Sequence, residues 1–328
     1  INQGDLALNS GNYDLSYQGN NLTITKALLN VIADAKTKVY GDADPSLTYQ
    51  VSGLKNGDSA GSILTGGLNR AAGENVGVYG INQGDLALNS GNYDLSYQGN
   101  NLTITKALLN VIADAKTKVY GDADPSLTYQ VSGLKNGDSA GSILTGGLNR
   151  AAGENVGVYG INQGDLALNS GNYDLSYQGN NLTITKALLN VIADAKTKVY
   201  GDADPALTYQ VSGLKNGDTA GAVLNGGGLV RVSGENVGNY AIQQGGLGLV
   251  SGNYDLAYQG NNLTITKALL NVIADAKTKV YGDADPSLTY QVSGLKNGDT
   301  AGSILTGGLN RAAGENVGVY GINQGDLA

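Results

Sequence analysis

The sequence predicts a row of small β-rich α+β domains, each built on a β-grasp-like sheet with one short helix. Residues 1–80 and 81–160 are identical, so the chain is a tandem repeat. Within each repeat, apolar and polar residues alternate over several short stretches, as they do in half-buried strands. Clusters of Gly, Asn and Asp, which favour tight turns, separate these stretches. All-β immunoglobulin-like sandwiches are the alternative, because their length and strand number are similar.

The length of the repeat favours separate domains. A period of 80 residues exceeds the roughly 20 to 30 residues of one β-solenoid coil. Each repeat holds enough large apolar and Tyr residues to close a core without help from its neighbours. The third copy departs from the pattern at 225–232, where one residue is inserted, and we expect a longer loop there.

The side-chain phase predicts the domain boundaries. A half-buried strand keeps its core residues on one face, but the apolar residues on either side of 26–28 have opposite phases: Leu22 and Ile24 before, and Leu29, Val31, Ala33 and Ala35 after. One domain therefore ends, and the next begins, near 26–28. So short a linker, without Gly or Pro, predicts stiff connections and an extended rod. A single strand buried on both faces is the alternative.

This boundary divides the chain into three whole repeats and two partial ones. The predicted domains are 1–27 (the C-terminal part of a repeat), 28–107, 108–187 and 188–268 (whole repeats), and 269–328 (the N-terminal part of a repeat).

The repeat at 28–107 shows the expected order of elements. Strands are predicted at 29–40, 47–52, 68–72, 76–81, 93–98 and 102–105, and 84–89 is left unassigned. A short helix is expected at 59–64, with Asp58 as its cap and Ala60, Ile63 and Leu64 facing inward. Gly66 and Gly67 end this helix. Neither this Gly pair nor 226–228 is a phosphate loop, since no Gly-Lys-Ser/Thr follows.

The composition excludes several functional classes. The chain has no Cys and no His, so thiolate nucleophiles, the usual structural zinc sites and imidazole bases are absent. A mild net charge of −8, evenly spread, argues against nucleic acid and anionic lipid as partners. No apolar run approaches the roughly 18 residues that span a bilayer. With no Met and no signal peptide, the chain is expected to be an internal part of a longer, exported protein.

The hexapeptide Tyr-Gly-Asp-Ala-Asp-Pro recurs in every copy and contains all 4 Pro residues of the chain. We interpret it as a structural turn, in which Gly supplies conformational freedom, Asp bonds local amides and Pro ends the strand. Its residues are Tyr40, Gly41, Asp42 and Pro45; Tyr120, Gly121, Asp122 and Pro125; Tyr200, Gly201, Asp202 and Pro205; and Tyr281, Gly282, Asp283 and Pro286.

Five motifs recur in the same order in the repeats. In the first whole repeat they are Lys-Val-Tyr-Gly-Asp-Ala-Asp-Pro-Ser-Leu-Thr-Tyr from Lys38, Val-Ser-Gly-Leu-Lys-Asn-Gly-Asp from Val51, Arg-Ala-Ala-Gly-Glu-Asn-Val-Gly-Val-Tyr from Arg70, Asn-Tyr-Asp-Leu from Asn92 and Leu-Thr-Ile-Thr-Lys-Ala from Leu102. This set resembles the MBG repeat of the Tyr-Gly type along the whole chain. That family occurs in tandem in large bacterial surface proteins, especially adhesins resembling filamentous haemagglutinin that leave Gram-negative cells by two-partner secretion. The resemblance implies a stalk on the outer-membrane-associated cell surface or in the biofilm matrix.

Several residues are candidates for other chemistry. Asp42 and Asp44 form a weak calcium candidate, with turn formation as the main interpretation. We expect no catalytic residue, cofactor or other metal site. The recurring Tyr13, Tyr17, Tyr40, Tyr49 and Tyr79 are assigned to core or cross-strand packing, and a sugar-binding face is the alternative. An internal isopeptide bond is a further hypothesis, involving Asn, Glu74 and one of Lys26, Lys36, Lys38 and Lys55.

The sequence therefore predicts a non-enzymatic stalk that projects an adhesive tip, with neighbouring repeats of the same chain as the main partners. One alternative is a multivalent module for mucin-type glycan or matrix polysaccharide, in which many weak sites produce avidity. Another is self-association into an extracellular fibre. None of these functions involves nucleic acid or membrane insertion.

Overall fold

The computed structural model describes residues 1–328 as short β-strands with four single-turn helices. The first repeat contains β1 (Ala27–Ala33), β2 (Lys36–Val39), β3 (Tyr49–Ser52), α1 (Ala60–Ile63), β4 (Leu64–Thr65), β5 (Asn69–Arg70), β6 (Gly77–Asn82), β7 (Ala87–Leu88), β8 (Tyr93–Gln98) and β9 (Asn100–Thr105).

The later repeats use the same order of elements. The second contains β10 (Ala107–Ala113), β11 (Lys116–Val119), β12 (Tyr129–Ser132), α2 (Ala140–Ile143), β13 (Leu144–Thr145), β14 (Asn149–Arg150), β15 (Gly157–Asn162), β16 (Ala167–Leu168), β17 (Tyr173–Gln178) and β18 (Asn180–Thr185). The third contains β19 (Ala187–Ala193), β20 (Lys196–Val199), β21 (Tyr209–Ser212), α3 (Ala220–Val223), β22 (Val230–Arg231), β23 (Gly238–Gln243), β24 (Tyr254–Gln259) and β25 (Asn261–Thr266). The partial fourth contains β26 (Asn271–Ala274), β27 (Tyr290–Ser293), α4 (Ala301–Ile304), β28 (Asn310–Arg311) and β29 (Ile322–Asn323).

The first two strands of a repeat pair in parallel with its last two. In the first repeat, β1 lies between β3, to which it is antiparallel, and β8, to which it is parallel. β2 pairs in parallel with β9, and β9 pairs with β6, which pairs with β5. Val31 lies opposite Tyr97 and Lys38 lies opposite Ile104, so the register keeps one offset across the break between β1 and β2. The third repeat has the same strand order.

The strand break at Asp34 reverses which residues face inward. The Asp34 carboxylate accepts hydrogen bonds from Thr48 and from Gln50 Nε2, the latter at 3.1 Å. Ala33 before the break is buried, and so are Lys38 and Tyr40 after it. Ala35 is exposed, so its predicted place among the core residues is wrong. The inward face changes parity because the chain passes from one sheet to the other at this point.

The core of the first repeat contains side chains from both sheets and from the helix. One cluster contains Leu29, Val31, Ile63, Leu64, Leu86 and Tyr93, and a second contains Ala33, Ile81 and Leu102. The helix supplies Ile63, as predicted, but its N-cap is Ser59. The Ser59 amide donates to Ser62 Oγ at 3.1 Å, and Asp58 instead accepts a bond from the Tyr93 hydroxyl at 2.7 Å. The prediction of Asp58 as the cap is therefore wrong.

The predicted change of side-chain phase is present between the first and second repeats. Ile104 is buried at the end of β9 and Ala107 at the start of β10, and Lys106 is the only residue between these two strands. Tyr40 and Ile104 belong to the same core cluster as Leu109, Val111 and Tyr173. The expectation that each repeat closes its core alone is thus wrong here, because the second core includes side chains from the first repeat.

The chain divides into two compact units. One comprises 1–116, 126–151 and 159–182, and the other comprises 117–125, 152–158 and 183–328. In the second unit, the predicted longer loop of the third copy is present. A single bridge between Leu224 and Leu249 replaces the two-residue ladder that β4 and β7 form in the first repeat. The Asn225 side chain accepts hydrogen bonds from the amides of Gly227 and Gly248, at 3.0 and 2.9 Å.

Candidate functional site

Four charged side chains form a cluster around the Tyr-Gly-Asp turn of the first repeat. Lys38 Nζ lies 2.6 Å from Asp44 Oδ1 and 2.6 Å from Glu74 Oε2. Arg70 Nε lies 2.6 Å from Asp44 Oδ2, and the same guanidinium also binds Glu74. Lys38 additionally donates to the Asp42 carbonyl at 3.1 Å. The two cations and two carboxylates thus connect β2, the turn and β5 through charge-assisted hydrogen bonds.

Tyr79 covers the charged cluster on one side. Its ring lies 5.6 Å from the Arg70 guanidinium carbon, in a cation–π arrangement. Its hydroxyl donates to the Asn75 carbonyl at 2.8 Å. Gly73, with φ of +140°, allows this ring to approach, because a Cβ on Gly73 would lie 2.2 Å from Tyr79 Cε1. Ring packing and ion pairing therefore both stabilise the loop between β5 and β6.

The protonation states oppose the isopeptide hypothesis. Hydrogen bonds from Arg70 and then Lys38 lower the Asp44 pKa to about 2. Burial acts to lower the Lys38 pKa, but hydrogen bonds to Asp44 and Glu74 outweigh it and raise that pKa. Amide formation needs a neutral amine and a protonated acid, whereas this cluster keeps the ammonium and the carboxylates charged. Lys38 is close enough to an acid, but the electrostatics favour an ion pair.

The carboxylates of Asp42 and Asp44 bind different cations. Both Asp44 oxygens accept from Lys38 and Arg70, whereas Asp42 Oδ1 lies 2.9 Å from Lys135 Nζ. No group of three or more acidic side chains in residues 1–328 is arranged to hold a metal ion. The calcium candidate therefore gains no support from this geometry, and the ion pairs account for both carboxylates.

Each residue of the Tyr-Gly-Asp motif contacts the following repeat. The Tyr40 hydroxyl donates to Asp138 Oδ2 at 3.0 Å, and Asp42 pairs with Lys135. Gly41, with φ of +79°, lies so close to Lys135 that a Cβ on Gly41 would be 2.5 Å from the Lys135 Cβ. The sequence predicts a turn in which Asp bonds local amides. That detail is wrong, because the Asp42 carboxylate accepts from Lys135 of the next repeat instead.

Asn172 and Tyr173 add a second group of contacts to the same surface. Asn172 Oδ1 accepts from the Val76 amide at 2.9 Å, and its Nδ2 donates to Asn75 Oδ1 at 2.9 Å. The rings of Tyr40 and Tyr173 meet edge to face, with centroids 5.4 Å apart. We call this whole set of contacts the first joint. It consists of Tyr40, Gly41, Asp42, Asn75 and Val76 against Lys135, Asp138, Asn172 and Tyr173.

The second joint repeats these contacts within the other compact unit. Tyr120 donates to Asp218 at 3.0 Å and lies 5.4 Å from the Tyr254 ring, and Lys215 pairs with Asp122 at 2.9 Å. Asn253 bonds the Val156 amide at 2.9 Å. The third joint, against the partial fourth copy, keeps the bonds Tyr200 to Asp299 and Lys296 to Asp202, each at 3.0 Å.

The Tyr residues of the first repeat pack inward, as the sequence predicted. Tyr40 and Tyr93 are buried, and Tyr49, Tyr79 and Tyr97 are partly buried. The prediction is wrong for Tyr13 and Tyr17, which are exposed because residues 1–26 form no strand to pack them. Sequence reasoning missed the role of Lys135, Asp138 and Asn172 at the joint. The only available signal was that Lys-Asn-Gly-Asp and Asn-Tyr recur as regularly as Tyr-Gly-Asp, and recurrence does not identify a partner.

The comparison with known families agrees with these recurring motifs. The MBG domain of the YGX type matches residues 29–103, 109–183, 189–264 and 270–328. The chain belongs to the MBG domain family. No curated protein matches it. MBG repeats are typical of surface adhesin-like proteins. None of the helices of this MBG chain is long and apolar enough to cross a membrane.

Proposed function

We propose that these MBG repeats are a non-enzymatic stalk of a bacterial adhesin, at the cell surface or in the biofilm matrix, that holds an adhesive tip away from the cell. The recurrence of one set of side-chain contacts at successive joints supports this proposal. A spacer needs joints that resist bending, and every added copy then increases the reach by a fixed amount.

The connection between repeats supports the same function. Lys106 alone links β9 to β10, and Tyr40 enters the core of the next repeat. A flexible tether has neither of these features. We also propose that each whole repeat is β-grasp-like, because its first two strands pair in parallel with its last two and one helix packs in the same core as β1. The immunoglobulin-like alternative has no such packed helix.

A role in glycan binding has less support. A sugar-binding face normally exposes aromatic rings, whereas the Tyr rings of the first repeat pack into cores, against Arg70 or into the first joint. We therefore propose neighbouring repeats as the partners of this surface. Glycan arrays probed with residues 1–328 test the alternative directly, since binding by the repeats themselves would contradict a purely structural role.

Small-angle X-ray scattering on residues 1–328 tests the stalk. A compact protein of this length has a radius of gyration of about 20 Å. Residues 27–39, which contain β1 and β2, extend about 43 Å at about 3.3 Å per residue, and we take this as the length of one repeat. Three such repeats in line give a radius of gyration of roughly 35–40 Å, calculated as for a thin rod on the same rise per residue.

The matched control is an insertion of Gly-Ser-Gly-Ser between Lys106 and Ala107. It substitutes no residue of either repeat but adds a flexible tether between them. We expect a rod-like scattering curve for the native chain and a bend at one position for the insertion variant. A compact native particle, or the same flexible curve for both proteins, rejects the stalk.

A further inference from the structure

We propose that the Tyr-Gly-Asp motif is a docking element whose partner is the Lys-Asn-Gly-Asp turn of the following repeat. The motif then has two roles: it forms its own turn, and it determines how the next repeat packs against it. The inference names the partner of the motif, and only its biological consequence rests on the proposed stalk. It applies equally to an array of repeats with another function.

The two elements are complementary at each position. The Tyr40 hydroxyl reaches the Asp138 carboxylate, the bare backbone of Gly41 receives the Lys135 side chain, and the Asp42 carboxylate receives the Lys135 ammonium. Asn136 has φ of +57°, which places the turn in the left-handed region where Asn is better tolerated than most residues. Each of the three motif residues therefore has a matching group on the next repeat: a carboxylate for Tyr40, an aliphatic side chain for Gly41 and an ammonium for Asp42.

The four copies of the motif form a graded series with one sequence. Tyr40 and Tyr120 meet whole repeats and are 4% and 5% exposed. Tyr200 meets the partial fourth copy and is partly exposed. Tyr281 has no following repeat within the chain and is 70% exposed. Because Lys-Val-Tyr-Gly-Asp is the same in all four copies, the burial of the Tyr follows the neighbour that is present.

A comparison of Gly41 with Gly282 shows which constraint on this Gly comes from the turn and which from the following repeat. Gly41 and Gly282 both have positive φ, of +79° and +89°, so both turns need the left-handed conformation. A Cβ on Gly41 meets Lys135, but a Cβ on Gly282 meets no atom within 4 Å. An Ala at either position therefore strains the backbone, whereas only an Ala at Gly41 also displaces the following repeat.

The Tyr of the receiving repeat gains an aromatic neighbour at the joint, although Tyr93 and Tyr173 are equally buried, at 2% and 1% exposed. Hydrogen bonding to Asp58, and then burial, raises the Tyr93 pKa. In the second repeat burial comes first, ahead of the bond to Asp138, and the Tyr173 pKa rises to about 12. Tyr93 and Tyr173 have the same partners within their own repeats. Tyr40, which packs on Tyr173, is the added neighbour.

Electron paramagnetic resonance across the first joint tests the docking. The chain has no Cys, so Ser52→Cys and Ser132→Cys give two unique spin-label sites on exposed strand positions of successive repeats. We expect one narrow distance distribution in the otherwise native chain. Gly41→Ala should broaden it, and Gly282→Ala, the matched control with the same backbone strain, should leave it narrow.

A milder variant keeps the test valid if Gly41→Ala does not fold. Asp42→Asn combined with Lys135→Gln removes the ion pair without altering either turn, and Tyr40→Phe removes only the hydroxyl. We expect the triple variant to broaden the distribution, and Tyr281→Phe with Asp283→Asn to leave it unchanged. The docking is rejected if the distribution stays narrow in every folded first-joint variant. Glycan binding with an intact narrow distribution would reject the stalk alone.

Discussion

Residues 1–25 and 81–105 have the same sequence but different structures. In 81–105 the chain completes β6 and forms β7, β8 and β9, whereas 1–26 contains no strand. Leu22 and Ile24 are 73% and 87% exposed, and their counterparts Leu102 and Ile104 are 0% and 1% exposed. Since the sequence is constant, the difference arises from partners. Residues 81–105 pair with β2 and β1 of the same repeat, which lie before them in the chain.

The fourth copy shows the same dependence from the opposite side. Its 277–280 segment has the sequence of β2 but forms no strand. A groove of about 550 Å³ runs beside it, lined by Lys277, Lys279, Val319 and Ile322 among others. Their counterparts in the first repeat lie on β2 and β6, the two strands that flank β9. The strands that flank β9 in a whole repeat therefore depend on it, whereas β26, β27 and β28 form without it.

The largest predicted effect is the repair of the fourth copy. Ala328 corresponds to Ala87, so a segment with the sequence of 88–106 appended after Ala328 supplies the missing strands. Burial of the residues that correspond to Leu102 and Ile104 contributes about 2 kcal/mol each, and the sum of about 4 kcal/mol corresponds to a roughly 10³-fold increase in amide protection. Hydrogen exchange of 277–280 measures it. The control segment carries Ser at the positions of Leu102 and Ile104, and equal protection with both segments would contradict the pairing.

A second prediction compares one substitution in both contexts. Leu102→Ala removes a fully buried side chain from the strand beside β2 and should cost about 2–5 kcal/mol in the free energy of unfolding of its repeat. Leu22→Ala changes the same sequence in the exposed segment and should stay within about 0.5 kcal/mol. Calorimetry of the two variants provides the measurement. Equal losses would show that residues 1–25 are also packed in solution.

The local features of the fold were predictable from the sequence. Alternation located β3, β6, β8 and β9 to within a few residues, because burial of one face is a property of neighbouring residues. The change of phase around Lys106 was visible for the same reason. The position of Ile63 in a short helix also followed from a local pattern.

The parallel pairing and the joints were not predictable. Val31 and Tyr97 are 66 positions apart, as their register shows, and identical copies make pairing within a repeat and with the previous repeat equally consistent with the pattern. Tyr40 was expected to be buried, but nothing in the sequence indicated that it enters the core of the next repeat. The destination of a side chain depends on the arrangement of whole repeats, which local periodicity does not encode.

The smallest predicted effect concerns the charged cluster, which the partial fourth copy retains. In the fourth copy, Lys279 still lies 2.7 Å from Asp285 and 2.6 Å from Glu315, and Arg311 lies 2.7 Å from Asp285. The Lys279 side chain is 23% exposed, compared with 4% for Lys38. The charged cluster thus forms from the turn and its nearest strands, and the missing strands affect only how deeply it is buried.

The dependence of stability on acid pH reports on the charged cluster and not on the strand pairing. Hydrogen bonds from arginine and then lysine lower the pKa of Asp44, Asp204 and Asp285 to about 2, and the unfolded value is about 4. The unfolded chain therefore binds more protons within this window, so the contribution of the cluster is complete above about pH 4 and is lost as the pH falls towards 2. Because these carboxylates are partly exposed, solvent screening makes the loss modest.

Arg70→Gln provides the test of this acid dependence. It keeps the side chain polar but removes the first cause of the low Asp44 pKa, so the stability of the variant should change less than that of the native chain between pH 4 and 2. Urea unfolding at several pH values measures the slope. Arg311→Gln, in the fourth copy, should reduce the slope by a similar amount if the cluster is local. A smaller effect at Arg311 would mean that the cluster, like the strands, depends on a complete repeat.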